Sequence, residues 1–144
     1  MPTQNYQHHA QFVTGYHRVL APLLILTFIG ACINLYLSVG DHERLYSAAL
    51  LVVLTFCVFM TALFARIFAL KAQDRAIRAE ENLRHFALTG KLLDPRLTVK
   101  QIIGLRFASD AEFVALAQRA AEEKLSLDAI KRSVKDWRPD YYRV

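Results

Sequence analysis

Two long runs without a charged side chain constrain this sequence more than any other feature. Residues 19–39 contain no charge, and residues 46–65 form a second run that continues past Arg66 to residue 70. About 20 consecutive apolar residues in an α-helix span a hydrocarbon core of roughly 30 Å. The sequence therefore predicts an all-α protein with two transmembrane helices, over about residues 19–39 and 46–70.

Two alternatives compete with this prediction. The first run resembles a signal peptide, but it exceeds the roughly 7 to 15 apolar residues of that signal, and no small-residue cleavage pattern precedes residue 40. Both runs resemble buried helices of a soluble protein, but a chain of 144 residues is too small to enclose two helices that are apolar on every side. A membrane helical hairpin closed by residues 40–45 is the favoured arrangement.

The distribution of positive charge predicts how the hairpin is oriented. The connector holds Arg44 against Asp41 and Glu43, whereas a basic cluster follows the second run. This membrane-surface basic cluster consists of Arg66, Lys71, Arg75 and Arg78. Because cytoplasmic segments next to a span carry an excess of Lys and Arg, both termini are expected in the cytoplasm. The cluster is expected to rest near anionic lipid headgroups.

Alanines recur through the second run and beyond it at alternating spacings of three and four residues. This helix-packing seam consists of Ala62, Ala65, Ala69, Ala72, Ala76, Ala79, Leu83 and Phe86. The spacing is a heptad pattern, and small residues at a contact let two helix backbones approach closely. The seam predicts one continuous helix that leaves the membrane and ends at Thr89, followed by Gly90 in the left-handed conformation.

The seam leaves two kinds of packing partner open. The first helix of the same chain is favoured, because the short connector forces an antiparallel hairpin and places residues near Phe12, Tyr16 and His17 opposite the seam. A second copy or another membrane-protein subunit is the alternative. Two ion pairs are expected to support the cytosolic part of the helix, Asp74 with Arg78 and Glu80 with Arg84.

Residues 91–144 carry the signals of a small cytosolic bundle of short amphipathic helices, after a first domain of residues 1–90. Thr98 and Gln101 form one capping box, and Ser109 and Glu112 form a second. These boxes predict that two helices start at about residues 99 and 110. A third apolar stripe follows residue 126 and is closed by Pro139.

Eight apolar residues are predicted to form the core of this bundle. They are Ile102, Ile103, Phe113, Leu116, Leu127, Ile130, Val134 and Trp137. A bundle of roughly forty residues is near the lower limit for independent stability, because it removes little apolar surface from water. It is therefore expected to rest on the long helix or on a partner.

Polar side chains within the spans offer little chemistry. Asn34 is the single amide there and is expected to hydrogen-bond a neighbouring helix. Cys32 and Cys57 lie in separate spans and lack the spacing of a metal site.

His8 and His9 would point in different directions on a helix, and His17 lies about two turns beyond them. No metal and no cofactor is predicted.

Catalysis and nucleic-acid binding both lack a sequence signal. There is no Gly-rich phosphate loop, no G-x-S-x-G or H-E-x-x-H motif and no paired carboxylates, so no catalytic residue and no small-molecule substrate are predicted. The basic residues after the second span alternate with acidic ones, and Asp128 and Asp136 interrupt the cations of the last stripe. Nucleic acid is therefore not a favoured partner.

Three segments carry a resemblance to a known family. They are "QNYQHHAQFV", "RAEENLRHFALTGKLLDPRLTVKQIIGLRFASDAEF" and "AIKRSVKDWRPDYYRV". In these segments the chain resembles small two-span bacterial membrane proteins with a domain of unknown function. The resemblance covers nearly the whole chain and implies a multi-pass protein of the bacterial inner membrane. It implies no activity.

Two functions from different classes agree with these observations. The favoured one is a non-catalytic accessory or scaffolding subunit that associates with other membrane proteins, or with itself, through the alanine seam and the cytosolic bundle. The alternative is a membrane-tethered regulatory module whose bundle captures nucleic acid or another soluble partner through residues such as Arg132 and Lys135.

Overall fold

The computed structural model describes residues 5–7 and 13–141, and its regular structure is helical. A π-helical segment, Gly15–Leu20, leads into α1 (Ala21–Leu37), α2 (His42–Thr89), α3 (Val99–Leu105), α4 (Asp110–Glu122) and α5 (Leu127–Ser133). Within the described residues there is no β-strand, and an isolated antiparallel bridge joins Ala108 to Trp137. The all-α prediction is confirmed for these residues.

The chain divides into two compact units, and the boundary between them falls inside α2. The first unit contains Phe12–Ala69, and the second contains Leu70–Val144 together with Met1–Gln11. The domain boundary that the sequence predicts at residue 90 lies directly after Thr89, where α2 ends. Residues 70–89 of α2 thus group with α3, α4 and α5.

The first unit is a helical hairpin with small side chains at its centre. Covered or partly covered positions recur every three or four residues, at Ala21, Leu24, Phe28, Ala31 and Leu35 of α1 and at Leu45, Ala48, Val52, Thr55, Phe59 and Ala62 of α2. Ala31 and Ala48 are buried, and the ring centroids of Phe28 and Phe56 lie 6.1 Å apart. This spacing is the heptad geometry of closely packed helix pairs.

Local hydrogen bonds close the turn between α1 and α2. Ser38 is buried, and its Oγ donates to the carbonyl oxygen of Asn34 at 2.8 Å. Gly40 has a φ of 98°, which a residue with a Cβ rarely adopts. The carboxylate of Asp41 accepts a hydrogen bond from the backbone N–H of Glu43 at 3.1 Å and so caps the start of α2.

Large apolar side chains cover the outer surface of the hairpin. Leu26, Val53 and Leu54 are each more than half exposed. The helical stretches Gly15–Leu37 and His42–Thr89 are both long and apolar enough to cross a membrane. The end predicted for the second one is confirmed, since α2 stops at Thr89 and Gly90 has a φ of 73°.

The second unit has its core where α3, α4 and α5 meet. Leu105, Phe107, Phe113 and Ile130 are its largest fully buried side chains. Gly104 allows α3 to approach α5 closely, because a Cβ at this position would meet the side chain of Ile130 at 3.1 Å. The apolar side chains of this small core are removed from water and lie in close contact with one another.

The capping box predicted at the start of α3 is confirmed and has an additional role. The Thr98 hydroxyl accepts from the Gln101 backbone, and the Gln101 side chain accepts from the Thr98 backbone. The same Gln101 amide donates to the carbonyl oxygens of Ala120 at 3.1 Å and Leu125 at 3.0 Å. One buried side chain therefore satisfies backbone groups at the start of α3 and at the end of α4.

The second predicted capping box does not form, although α4 does begin at Asp110. The Ser109 side chain makes no capping hydrogen bond. The carboxylate of Glu112 instead accepts hydrogen bonds from the backbone N–H groups of Lys135 at 3.2 Å and Asp136 at 3.1 Å. Glu112 is drawn away because these two N–H groups lie outside any helix and need an acceptor.

The helix predicted over the third apolar stripe is shorter than expected. It ends at Ser133, and Val134 is already extended, with a ψ of 121°. Backbone hydrogen bonds join the following segment to residues 107–109, since Arg138 N–H donates to Phe107 at 2.8 Å and Ser109 N–H donates to Asp136 at 3.1 Å. Val134 and Trp137 therefore reach the core from extended backbone rather than from a helix.

Candidate functional site

A charged junction within the second unit joins α2 to the helices that follow it. At its centre is Glu81, whose side chain is only 5% exposed. One carboxylate oxygen lies 3.0 Å from Arg84, and the other lies 3.6 Å from Arg138. Burial of a carboxylate is costly unless cations and hydrogen bonds compensate it, and here two guanidinium groups do so.

Arg84 makes the largest number of contacts at this junction. Its guanidinium lies 2.6 Å from the Asp110 carboxylate at the start of α4, and it donates to the carbonyl oxygen of Ala108 at 2.7 Å. The same group lies over the ring of Phe113, 4.3 Å from its centroid. Planar stacking and several directed hydrogen bonds are the contacts for which arginine is better suited than lysine.

The junction encloses a polar cleft of about 310 Å³. Its lining consists of Glu80, Glu81, Arg84, Asp110 and Arg138. The ion pair expected between Glu80 and Arg84 does not form, because Arg84 is held by Glu81 and Asp110. Both arginines of the cleft are thus paired with Glu81 or Asp110, and Glu80 lies outside these ion pairs.

The extended segment of residues 134–141 covers a second buried cation. Arg106 is 7% exposed, and it lies 3.4 Å from the Asp140 carboxylate. Its guanidinium lies over the ring of Phe107 at 4.6 Å, and the Phe107 ring lies 5.0 Å from that of Trp137. The strings "GLRFASDAEF" and "DWRPD", which belong to the segments that carry the family resemblance, thus pack against each other.

Sequence reasoning missed the charged members of this site. The sequence pattern does not single out Glu81, Arg106 or Asp140, and it assigns Arg84 to Glu80, because a charge buried by distant partners has the same local pattern as a charge on a solvated face. The one available signal was the conjunction of the two strings quoted above, which place charges among aromatic residues.

The predicted alanine seam divides into two parts in the structure. Ala62 and Ala69 are partly covered, whereas Ala65, Ala72, Ala76, Ala79, Leu83 and Phe86 are exposed. In the second unit the covered face of α2 carries Ile77 and Glu81 instead. The covered face and the seam therefore differ in phase along the same helix.

The predicted basic cluster and Asn34 are also exposed for the most part. Lys71, Arg75 and Arg78 are exposed, while Arg66 lies partly covered with its guanidinium 5.7 Å from the Tyr16 ring. In the described part of the chain, the expected ion pair of Arg78 with Asp74 is absent. Asn34 is exposed.

The predicted bundle core lies mainly in the interior. Ile102, Phe113, Leu116, Ile130 and Val134 are buried, whereas Ile103, Leu127 and Trp137 are partly covered.

The structure describes only some of the histidines that were considered as metal ligands. His8, His9 and Phe12 lie outside the described residues. Nδ1 of His17 lies 3.1 Å from the backbone oxygen of Val13, and Nδ1 of His85 lies 2.7 Å from that of Lys91. Among the residues that the structure describes, no group of three or more His, Cys, Asp or Glu could hold a metal ion.

In two exposed ion pairs of the second unit, the pKa of the carboxyl group is lowered. The side chain and backbone N–H of Arg96 donate to Asp94, which lowers the pKa of Asp94 to about 2. The Tyr6 hydroxyl donates to Asp128, and this hydrogen bond, with the nearby charge of Arg132, lowers the pKa of Asp128. Both carboxylates stay ionised at neutral pH and neutralise a neighbouring arginine.

Comparison with known protein families decides the relationship of the chain. A family of unknown function, DUF6526, matches residues 1–144. The chain belongs to this family. No curated protein and no solved structure matches it. The DUF6526 relationship confirms that the chain belongs to a family of unknown function, and it assigns no activity to the charged junction.

Proposed function

We propose that this DUF6526 chain is a non-catalytic accessory or scaffolding subunit of the bacterial inner membrane. In this proposal the hairpin spans the bilayer, the turn at residues 40–45 lies outside, and both termini and the second unit lie in the cytoplasm. The second unit and the exposed face of α2 then supply the surfaces for association with other subunits.

The observation that carries the proposal is the outward exposure of large apolar side chains on the hairpin. Leu26 is 65% exposed and Val53 is 58% exposed, and both lie within the runs that contain no charged residue, residues 19–39 and 46–65. In water a protein with such a surface would be prone to aggregation, whereas the hydrocarbon of a lipid bilayer solvates it. The basic residues after the second span favour the cytoplasmic orientation.

A non-catalytic role is supported by the way the polar groups of the second unit are used. Glu81, Arg84 and Asp110 neutralise one another across short contacts. A catalytic acid or base must instead have a proton-transfer partner other than a permanent ion pair. The charged junction thus serves to fix α4 against α2.

The experiment that tests this proposal is extraction of the protein from its native membrane in mild detergent at its natural expression level. The mass and composition of the particle are then measured. Foreign subunits in a fixed ratio are expected for an accessory subunit. Release of the protein from the membrane by alkaline carbonate, without detergent, would overturn the proposed membrane insertion.

The alternative, a tethered module for nucleic acid, loses support from the surroundings of Arg132. Its guanidinium lies 2.8 Å from the Asp128 carboxylate and 5.0 Å from the Tyr6 ring centroid. A phosphate would have to compete with that carboxylate for the arginine. Salt-dependent RNA or DNA binding that weakens in Arg132→Gln and Lys135→Gln would restore this alternative.

A further inference from the structure

One face of α2 in the second unit is apolar and uncovered. It consists of Ala72, Ala76, Ala79, Leu83 and Phe86, here named the outer stripe. Leu83 is 68% exposed and Phe86 is 51% exposed, whereas Ile77 and Glu81 on the other side of the helix are 6% and 4% exposed. Exposure of a leucine and a phenylalanine beside three alanines leaves a narrow apolar strip in contact with water.

The spacing of the outer stripe is that of a coiled-coil seam. Its members follow one another at intervals of four, three, four and three residues, so they occupy the a and d positions of a heptad. Ala76 and Leu83 take the a positions, and Ala72, Ala79 and Phe86 take the d positions. Alanine at three of these five positions allows a short distance between two helix backbones.

The charges that flank the outer stripe select the partner and its direction. Arg75 occupies a g position and Glu80 the following e position, and in a parallel pair the g residue of one helix faces this e residue of the other. Arg75 of one copy would thus face Glu80 of a second copy, and the reverse contact would form by symmetry. In an antiparallel pair g positions face g positions and e positions face e positions, so Arg75 and Glu80 would not meet.

Both of these flanking residues are available for such a contact. Arg75 and Glu80 are exposed, and in residues 13–141 neither belongs to an ion pair. Arg84, the expected partner of Glu80, is occupied by Glu81 at 3.0 Å and by Asp110 at 2.6 Å. The charged junction thereby leaves Glu80 to a partner outside the chain.

We propose that the outer stripe is the contact between two parallel copies of this chain, with reciprocal ion pairs between Arg75 and Glu80. The inference rests on the proposed function, because copies inserted in one membrane with the same topology present α2 in parallel. Confinement to a membrane also raises the effective concentration of the copies, which compensates for the short length of the stripe.

The contact is tested by disulfide cross-linking in native membranes, with Cys32 and Cys57 replaced by Ala. In a parallel pair an a position faces itself, so Ala76→Cys is expected to give a product of twice the chain mass. Arg78→Cys, on an exposed part of the same helix away from the stripe, is the matched control and is expected to give none. Equal products from both variants would overturn the proposal.

Charge exchange then tests the ion pairs in the Ala76→Cys background. Arg75→Glu alone, or Glu80→Arg alone, places like charges opposite each other and is expected to lower the cross-linked fraction roughly tenfold. Co-expression of the two variants with different tags restores both opposite-charge pairs, so a mixed dimer is expected to recover. Absence of that recovery would overturn the parallel register.

Two further outcomes separate this inference from the function on which it rests. A product between Ala76→Cys and a foreign protein, or no product from membrane-inserted chains, would overturn the contact between copies and leave an accessory role in place. Release of the chain by alkaline carbonate would overturn the membrane role itself. Because the substituted residues are exposed, helix content measured by circular dichroism is expected to stay unchanged.

Discussion

The two units of this chain use the same apolar residue types in opposite ways. In the hairpin the buried positions include Ala31, Ser38 and Ala48, and the large apolar side chains face outward. In the second unit Phe107 and Phe113 are fully buried, and charges lie around them. An apolar residue type thus predicts a buried position only when it is known whether water or lipid surrounds that part of the chain.

Truncation of a large aromatic residue in each unit gives the strongest test of this contrast. Phe113→Ala is expected to lower the free energy of unfolding of the second unit by about 3 to 5 kcal/mol, because it leaves a cavity and removes the ring beneath Arg84. Denaturant unfolding in detergent, followed by the fluorescence of Trp137, measures this unit, since the chain has one tryptophan.

Phe68→Ala is the matched control for that substitution. Phe68 is 62% exposed and lies in the first unit, so its truncation is expected to change the unfolding of the second unit by less than about 0.5 kcal/mol. Equal effects from the two phenylalanines would break the comparison between inward-facing and outward-facing apolar residues.

Removal of the buried charge is expected to have the next largest effect. Glu81→Gln leaves Arg84 and Arg138 opposite a neutral amide and is expected to cost about 2 to 3 kcal/mol in the same fluorescence assay. Glu80→Gln alters an exposed neighbour and is expected to stay within about 0.5 kcal/mol of the unsubstituted chain. A tolerated Glu81→Gln would mean that the junction contributes little to the second unit.

Thr98 precedes α3 and Ser109 precedes α4, and replacing each of them by Ala allows a finer test. Thr98→Ala removes the hydroxyl that accepts from the Gln101 backbone N–H and is expected to cost about 1 kcal/mol. Ser109→Ala is expected to cost nearly nothing, because the Ser109 side chain makes no capping hydrogen bond. Similar losses in both variants, measured by Trp137 fluorescence, would contradict the assignment of Glu112 to residues 135 and 136.

The smallest effect concerns the pH dependence of the Asp94 and Arg96 pair. The pKa of Asp94 is lowered from 3.8 to about 2, so the stability it contributes is present above 3.8 and is lost as the pH falls towards 2. The stability difference between the chain and Asp94→Asn is therefore expected to be constant near neutral pH and to shrink in this acidic window. A carboxyl titration of Asp94 with a midpoint at or above 3.8 would contradict it.

Local signals predicted the helical elements well, because each depends on neighbouring residues. The uncharged runs and Gly90 located α1, α2 and the end of α2, and Thr98 with Gln101 located the start of α3. Insertion of the hairpin in a membrane and the association of the seam stay predictions. The same kind of local signal failed where a distant group competed for a side chain, as the N–H groups of Lys135 and Asp136 do for Glu112.

The face of α2 that packs in the second unit could not be read from alanine spacing alone. Alanine fits either a close contact or an exposed helix surface, so its heptad phase carries little energetic preference. Ile77, Glu81 and Arg84 decide the packed face, and Arg84 does so through Asp110, which lies 26 residues away. The extended backbone after Val134 likewise depends on its pairing with residues 107–109.

Because of that pairing, the second unit assembles later than the hairpin while the chain is being synthesised. The contacts of the hairpin involve residues no later than Ala69, whereas the carbonyl oxygen of Phe107 accepts from Arg138 N–H and Ser109 N–H donates to Asp136, two residues that are synthesised much later. At about 5 to 20 residues per second, roughly 70 further residues take on the order of ten seconds to emerge. Throughout that interval the loop before α4 lacks its partners, and a chaperone has its opportunity to act.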